Sequence, residues 1–273
     1  MEILSALIVL AIISFICAVV LTVAATFFAV KENEKVIAVR ECLPGANCGA
    51  CGYSGCDGYA KALGEGQCDN PSLCVPGGDG VAKEIGDIMG LAGGDVVEKV
   101  AYVACNGSCK PEERKYVYDG IHTCLAANMN YSGDRECTYA CLGYGDCMNV
   151  CPRNAITINK EKCIAEIDPK KCIGCGLCQK ACPNHIIHLV EDTVRVVVKC
   201  SSNDKGAVTR KACSNGCIGC MKCQKTCPMG AIKVENNLAT IDYSKCTGCG
   251  ACHDACPVKC IHLGNFICGA HFE

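Results

Sequence analysis

The chain opens on an unbroken apolar run and then changes character. From Ile3 to Val30 there are 28 consecutive positions without a formal charge, mostly Ile, Leu, Val, Ala and Phe. About 20 apolar residues span a bilayer, so the run predicts one membrane-crossing helix. A secretory signal peptide would start on basic residues and carry a shorter apolar core, whereas this chain starts Met1-Glu2. Lys31, Lys35 and Arg40 follow, which by the positive-inside rule places the remainder in the cytoplasm. Cys17, in the middle of the run, reads as a packing or lipid-facing residue. Helical spacing returns at Val81, Ile85, Ile88 and Met89, an amphipathic helix. Short strand patterns come later. Residues Ala155–Ile158 and Ala231–Val234 each lead through turn residues, Asn159-Lys160 and Glu235-Asn236-Asn237, into return strands at Ile164–Ile167 and Leu238–Ile241. Val194–Lys199 reads as a strand joining the two halves.

Composition changes this picture. Among 273 residues there are 31 cysteines, more than one in ten, no Trp and few aromatics. That excludes a large conventional core and leaves two classes, a disulfide scaffold or a metal-cluster protein. Neighbouring thiols spaced two apart would compete for disulfide partners, so the metal reading is preferred. Metal ligation would then supply much of the folding free energy. A net charge of −2 carries no polyelectrolyte role, and no nucleic-acid partner is expected.

The cysteine spacing specifies the metal. Cys217, Cys220, Cys223 and Cys227-Pro228 form the run of a bacterial [4Fe–4S] ferredoxin, whose fourth cysteine turns away to the neighbouring cluster. Cys246, Cys249, Cys252 and Cys256-Pro257 are its partner run. Zinc sites pair cysteines two and two and have no use for the third. The unit is duplicated. A shift of 76 carries Cys124, Cys137, Cys141, Cys147 and Cys151 onto Cys200, Cys213, Cys217, Cys223 and Cys227. A shift of 74 carries Cys172, Cys175, Cys178 and Cys182 onto Cys246, Cys249, Cys252 and Cys256. Each repeat thus reads as a two-cluster unit of hairpins and short helices.

The first repeat departs once: Tyr144 stands where the second has Cys220. A cluster on Cys141, Cys147 and the returning Cys182 then lacks a thiolate. Cys137, one helical turn before Cys141, is the choice for it, and Cys124 the runner-up. Nearer the start, Cys48, Cys51, Cys56 and the distant Cys74 lie among glycines that permit close backbone approach. They read as a further [4Fe–4S] site, with structural zinc as the bland alternative and Cys68 as an alternative to Cys74. Five clusters therefore use twenty cysteines. Cys105, Cys109, Cys124, Cys200 and Cys213 remain, with room for a sixth cluster whose four ligands the spacing does not select. Cys163, Cys260 and Cys268 read as structural or incidental. His185, His188, His253 and His262 sit beside the runs as surface or neighbouring groups. No Walker loop, dinucleotide-binding glycine motif or Ser–His–Asp arrangement is present, so no independent catalytic site is expected. Lys199, Lys205, Arg210, Lys211, Lys222 and Lys225 against Asp204 make a basic stretch, either a solvated face or a docking face for an acidic redox partner.

The order of apolar run, Leu43-Pro44-Gly45-Ala46-Asn47-Cys48-Gly49-Ala50-Cys51-Gly52 and two ferredoxin units resembles the B subunit of the Rnf complex, the membrane-bound ferredoxin:NAD⁺ oxidoreductase. Val103-Ala104-Cys105-Asn106-Gly107 and Lys199-Cys200-Ser201-Ser202 resemble its clostridial type. The resemblance implies an electron-transfer subunit of an ion-translocating enzyme, taking electrons from reduced ferredoxin toward membrane subunits. It also implies a partner subunit that binds flavin and NAD. The expected fold is α+β: a transmembrane anchor (1–30), a small one-cluster domain (31–100) and two ferredoxin-like units (101–194 and 195–273). The expected location is the cell membrane, single-pass, with the soluble part on the cytoplasmic side. Two other readings stand beside it: a polyferredoxin subunit of a hydrogenase or formate-oxidising complex, and a tethered iron–sulfur sensor. A serial array of at least five centres favours conduction over sensing.

Overall fold

The computed structural model describes residues 2–27, 33–108, 110 and 113–264. Cys109, Cys268 and the linker positions 28–32 lie outside the described residues.

The membrane-spanning helix expected over residues 1–30 is corrected. A helix, α1, runs over Glu2–Phe27, and within it the Ser14 and Thr22 hydroxyls donate back to the Leu10 and Ala18 carbonyls. Among the described residues, however, no helix is long and apolar enough to cross a membrane. The single-pass placement, and the orientation argued from it, lose their support.

A small helical module follows. Helix α2 (Glu34–Cys42) is capped by the Asn33 side chain, which accepts from the Lys35 N–H. Helices α3 (Cys56–Gly64) and α4 (Gly78–Met89) pack against it. The spacing Val81, Ile85, Ile88 and Met89 does fall on one face of α4, which joins Val39, Tyr59 and Leu63 in a shared core. Gly64 is required where α3 passes α2, because a Cβ there would lie 2.3 Å from the Val36 side chain.

Two units of one plan follow. The first holds β1 (Lys99–Val103), α5 (Cys124–Met129), α6 (Asp146–Asn149), β2 (Ile156–Asn159), β3 (Ile164–Ile167), α7 (Leu177–Ala181) and β4 (Ile187–Glu191). The second holds β5 (Val196–Val198), α8 (Gly206–Ala212), α9 (Lys222–Thr226), β6 (Ile232–Glu235), β7 (Leu238–Ile241), α10 (Ala251–Ala255) and β8 (Ile261–Leu263). In each, an inner antiparallel hairpin (β2–β3, β6–β7) lies within an outer antiparallel pair closed from distant parts of the chain (β1–β4, β5–β8).

The registers correspond, Ile156 facing Ile167 and Ile232 facing Ile241. The second hairpin turns through Asn236 and Asn237, both at positive φ, the two-residue turn whose twist suits antiparallel strands. Alternation does the rest: Ile156 and Ile232 are buried while Thr157 and Lys233 face solvent. The apolar strand faces close on cysteines rather than on one another. Val100, Ile156 and Ile187 pack with Cys141, Cys147, Cys172 and Cys178, and Val196, Ile232 and Ile261 with Cys217, Cys223, Cys252 and Cys256.

Candidate metal centres

The short loops before each helix aim the thiols inward. Gly145, Gly176 and Gly250 precede α6, α7 and α10 in the left-handed region, and Met221 adopts the same conformation before α9. Inside the Cys172–Cys175 loop, Gly174 sits at φ +63°, and a Cβ there would lie 2.3 Å from the Lys99 carbonyl of β1. Gly174→Ala is therefore expected to cost about 2 kcal/mol or more, from strain plus a backbone clash. Gly52→Ala, at φ +88° with nothing within 4 Å, should cost only about 1 kcal/mol. Anaerobic thermal unfolding of the two variants side by side checks the difference.

Cysteines from the paired runs and from the helical module come together in the structure. Cys151, Cys172, Cys175 and Cys178 line one cavity, and Cys227, Cys246, Cys249 and Cys252 another. Burial pushes the Cys223 thiol up to about 11, helped by its neighbours Cys217, Cys220 and Cys256. In the helical module burial raises Cys74 to about 11, with Cys56, Cys48 and Cys51 close by. The Asn47 side chain accepts from the Cys56 N–H and holds that loop. Cys68 instead lies beside Tyr53, with its thiol directed to the Asn70 carbonyl.

One set differs from the expectation. The cavity holding Cys141, Cys147 and Cys182 is completed by Cys124, and Cys137 is not among its lining residues. Asp146 explains the arrangement. Its two carboxylate oxygens accept from the N–H groups of Cys124 and Leu125, at 2.9 Å each, fixing the start of α5 beside Cys147. The Thr123 hydroxyl caps the same helix by accepting from Ala126. Tyr144 meets Tyr118 edge-on, lies tilted beside His122 and packs against the small core that holds Cys124. Lys222 occupies the place of Asp146 in the second repeat, so no such clamp exists there.

Another cavity is lined by Cys105, Cys137, Cys200 and Cys213, with Cys141 and the half-buried Lys199 beside them. Burial raises Cys137 to about 12, and the thiols of Cys105, Cys200 and Cys213 add to that rise. Spacing alone gives Cys105 and Cys109 no place, and Cys109 lies outside the described residues. The sequence does carry a signal for Cys105: Val103-Ala104-Cys105 and Val198-Lys199-Cys200 each end an outer strand with a cysteine two residues on. The remaining cysteines are scattered. Cys17 is exposed, Cys42 donates to the Ala38 carbonyl, Cys163 is disulfide-bonded, and Cys260 is buried with its sulfur 3.6 Å from that of Cys256. No histidine lines any of these cysteine cavities among the described residues.

The donor sets fit polynuclear clusters. Among the described residues each cavity offers thiols and no histidine or water-exposed carboxylate pair, the donor type that iron–sulfur clusters take. Backbone N–H groups already point at the sulfurs: Ala101 at Cys172, Ala155 at Cys151 and Ala165 at Cys141, at 3.3–3.4 Å. Such donors stabilise coordinated thiolate and tune cluster potential. Thiols raised by burial must release protons on binding iron, which couples loading to the fold.

Of the basic stretch, Lys205, Arg210, Lys211, Lys222 and Lys225 are exposed, while Lys199 turns toward the Cys105–Cys200 cavity.

Three family models match separate parts of the chain. One described as "Putative Fe-S cluster" covers residues 43–76, a 4Fe-4S binding domain covers 165–188, and a 4Fe-4S dicluster domain covers 211–263. Whole-chain relatives go further. The chain is 42% identical over 237 residues to the B subunit of the Na(+)-translocating ferredoxin:NAD(+) oxidoreductase complex of Acetobacterium woodii, covering 87% of this chain and 71% of that protein. It is 44% identical over 238 residues to the proton-translocating counterpart of Clostridium ljungdahlii, covering 87% and 84%. The chain belongs to this B-subunit family, that of the Rnf complex. The B subunit of an ion-translocating oxidoreductase complex of Methanosarcina acetivorans is a further relative, 38% identical with 87% and 89% covered.

Proposed function

We propose that this chain accepts electrons from reduced ferredoxin and conducts them through [4Fe–4S] clusters to partner subunits of an ion-translocating ferredoxin:NAD⁺ oxidoreductase. Those partners include one that binds flavin and NAD and others within the membrane. Each cluster, when bound, takes up and gives up one electron at a time. In this reading the chain divides into a one-cluster module (31–100) and two ferredoxin-like units (101–194 and 195–273). The sets are Cys48, Cys51, Cys56 and Cys74; Cys151, Cys172, Cys175 and Cys178; Cys124, Cys141, Cys147 and Cys182; Cys217, Cys220, Cys223 and Cys256; and Cys227, Cys246, Cys249 and Cys252.

The observation that carries the proposal is the contiguity of the helical module's set with the two sets of the first unit. Lys180 of α7 donates to the Cys48 carbonyl at 2.8 Å, and Cys48 lies near enough to influence Cys175, so the module abuts the first unit at a cysteine site. Within that unit Cys147 senses both its own set and Cys178 of the next. A sensor needs one centre; a conductor needs neighbours. The protein's own residues supply position, N–H donors to sulfur and exclusion of water.

The test is anaerobic iron and sulfide analysis with an EPR-monitored redox titration, followed by reduction with ferredoxin. At least about twenty irons per chain are expected, four for each cluster, with the centres reducible by ferredoxin. A zinc-loaded chain, or fewer than four clusters after careful reconstitution, overturns the reading.

A further inference from the structure

Among the described residues, Cys105, Cys137, Cys200 and Cys213 are the one four-cysteine gathering that draws equally on both repeats. We infer that they form a sixth [4Fe–4S] site, placed across the seam between the two ferredoxin-like units and joining their clusters into one path.

Local symmetry supports the site. Val103 of β1 pairs with Ile187 and Val198 of β5 pairs with Ile261, so Cys105 and Cys200 occupy matching places two residues beyond matching strand ends. Each sulfur accepts from the next unit cysteine in the same way: the Cys141 N–H donates to Cys105 at 3.4 Å and the Cys217 N–H to Cys200 at 3.2 Å. Cys137 and Cys213 stand four residues before Cys141 and Cys217. The four thiols are therefore two equivalent pairs lining one cavity. A cubane, with four equivalent corners, suits such a set.

The seam is held independently of any metal. The Ser201 hydroxyl donates to the Ala104 carbonyl at 3.0 Å, Asn215 donates to the Asn106 carbonyl at 2.8 Å, and Ser214 donates to the Glu113 carboxylate. These bonds fix the two cysteine pairs relative to each other. The hydrogen bonds from Cys141 and Cys217 also set the site next to one cluster of each unit. Without it, the two ferredoxin-like units would be separate conductors with a gap at their junction. With it, an electron passes singly from one thiolate-held centre to the next, and no proton or bond need move.

This inference rests on the iron–sulfur reading, so its test separates the two. The full chain is purified anaerobically, and iron, sulfide and EPR are measured beside the variants Cys105→Ser and Cys213→Ser. The wild type should hold about 24 irons, and each variant should lose about four while the other centres keep their signals. Those retained signals report that the chain is folded. A second measurement needs no variant. Iodoacetamide labelling read by mass spectrometry should find all four cysteines protected in the iron-loaded chain and labelled after chelation, while Cys17 labels in both. Equal labelling of the four with and without iron, or variants that keep full iron content, overturns the sixth site. A wild type holding no iron overturns the reading beneath it instead.

Discussion

Cys124→Ser is expected to abolish one EPR-resolved centre of the first unit, remove about four irons and reduce ferredoxin-driven electron throughput to near background. Cys137→Ser should leave that centre intact. The difference follows from which thiol completes the cavity of Cys141, Cys147 and Cys182. Cys124 lines that cavity and is held there by the Asp146 carboxylate, whereas Cys137 lines the seam cavity. The loss in throughput should exceed what one site in five would suggest, because in a file of centres an interior member has no bypass. Asp146→Asn gives a graded check. It keeps one acceptor oxygen for the start of α5 and should weaken iron retention in the same centre without abolishing it. If Cys137→Ser removes the centre and Cys124→Ser spares it, the assignment reverts to the helical-turn argument from sequence.

That pair of cysteines also marks where the sequence stops being legible. The paired cysteine runs are legible from spacing, because cysteines two apart on a tight loop bring their thiols to one side of it. The inner hairpins are legible for a similar reason, alternating apolar residues around short turns. What escapes is anything fixed by distant parts of the chain. A constant shift pairs Cys124 with Cys200, but the strand ends pair Cys105 with Cys200, since residues 113–134 sit between β1 and the first cysteine run and displace the count. Nor does sequence reveal that Asp146 and Lys222 act differently at one repeat position. The apolar run at the start teaches the opposite lesson. Hydropathy and charge asymmetry argue for a span, yet among the described residues no helix is long and apolar enough to cross a membrane.

The exposed basic face should govern how fast the donor arrives. Arg210 and Lys211 stand in the last turn of α8 and Lys205 immediately before the helix, all three exposed, leading into Cys213 and the Cys217 run. Arg210 and Lys211 also favour the C-terminal end of the helix dipole, which is the bland reason for finding them there. A functional reason is that low-potential ferredoxins are generally acidic, so the proposed donor would meet complementary charge next to a cluster edge. Exposed charges act over a Debye length of about 8 Å at physiological salt, which directs their effect to encounter rather than to the bound state. Reversing all three to Glu should therefore slow reduction by ferredoxin by roughly ten-fold or more at low salt, within the range that electrostatic steering covers. The wild-type rate should fall as salt rises, and the variant's should be flat or rise slightly. Iron content and midpoint potentials should stay the same, since none of the three lines a cysteine cavity. Stopped-flow reduction across a salt series decides the matter. An unchanged rate with an unchanged salt slope moves the docking face elsewhere and leaves the dipole as the whole explanation of these residues.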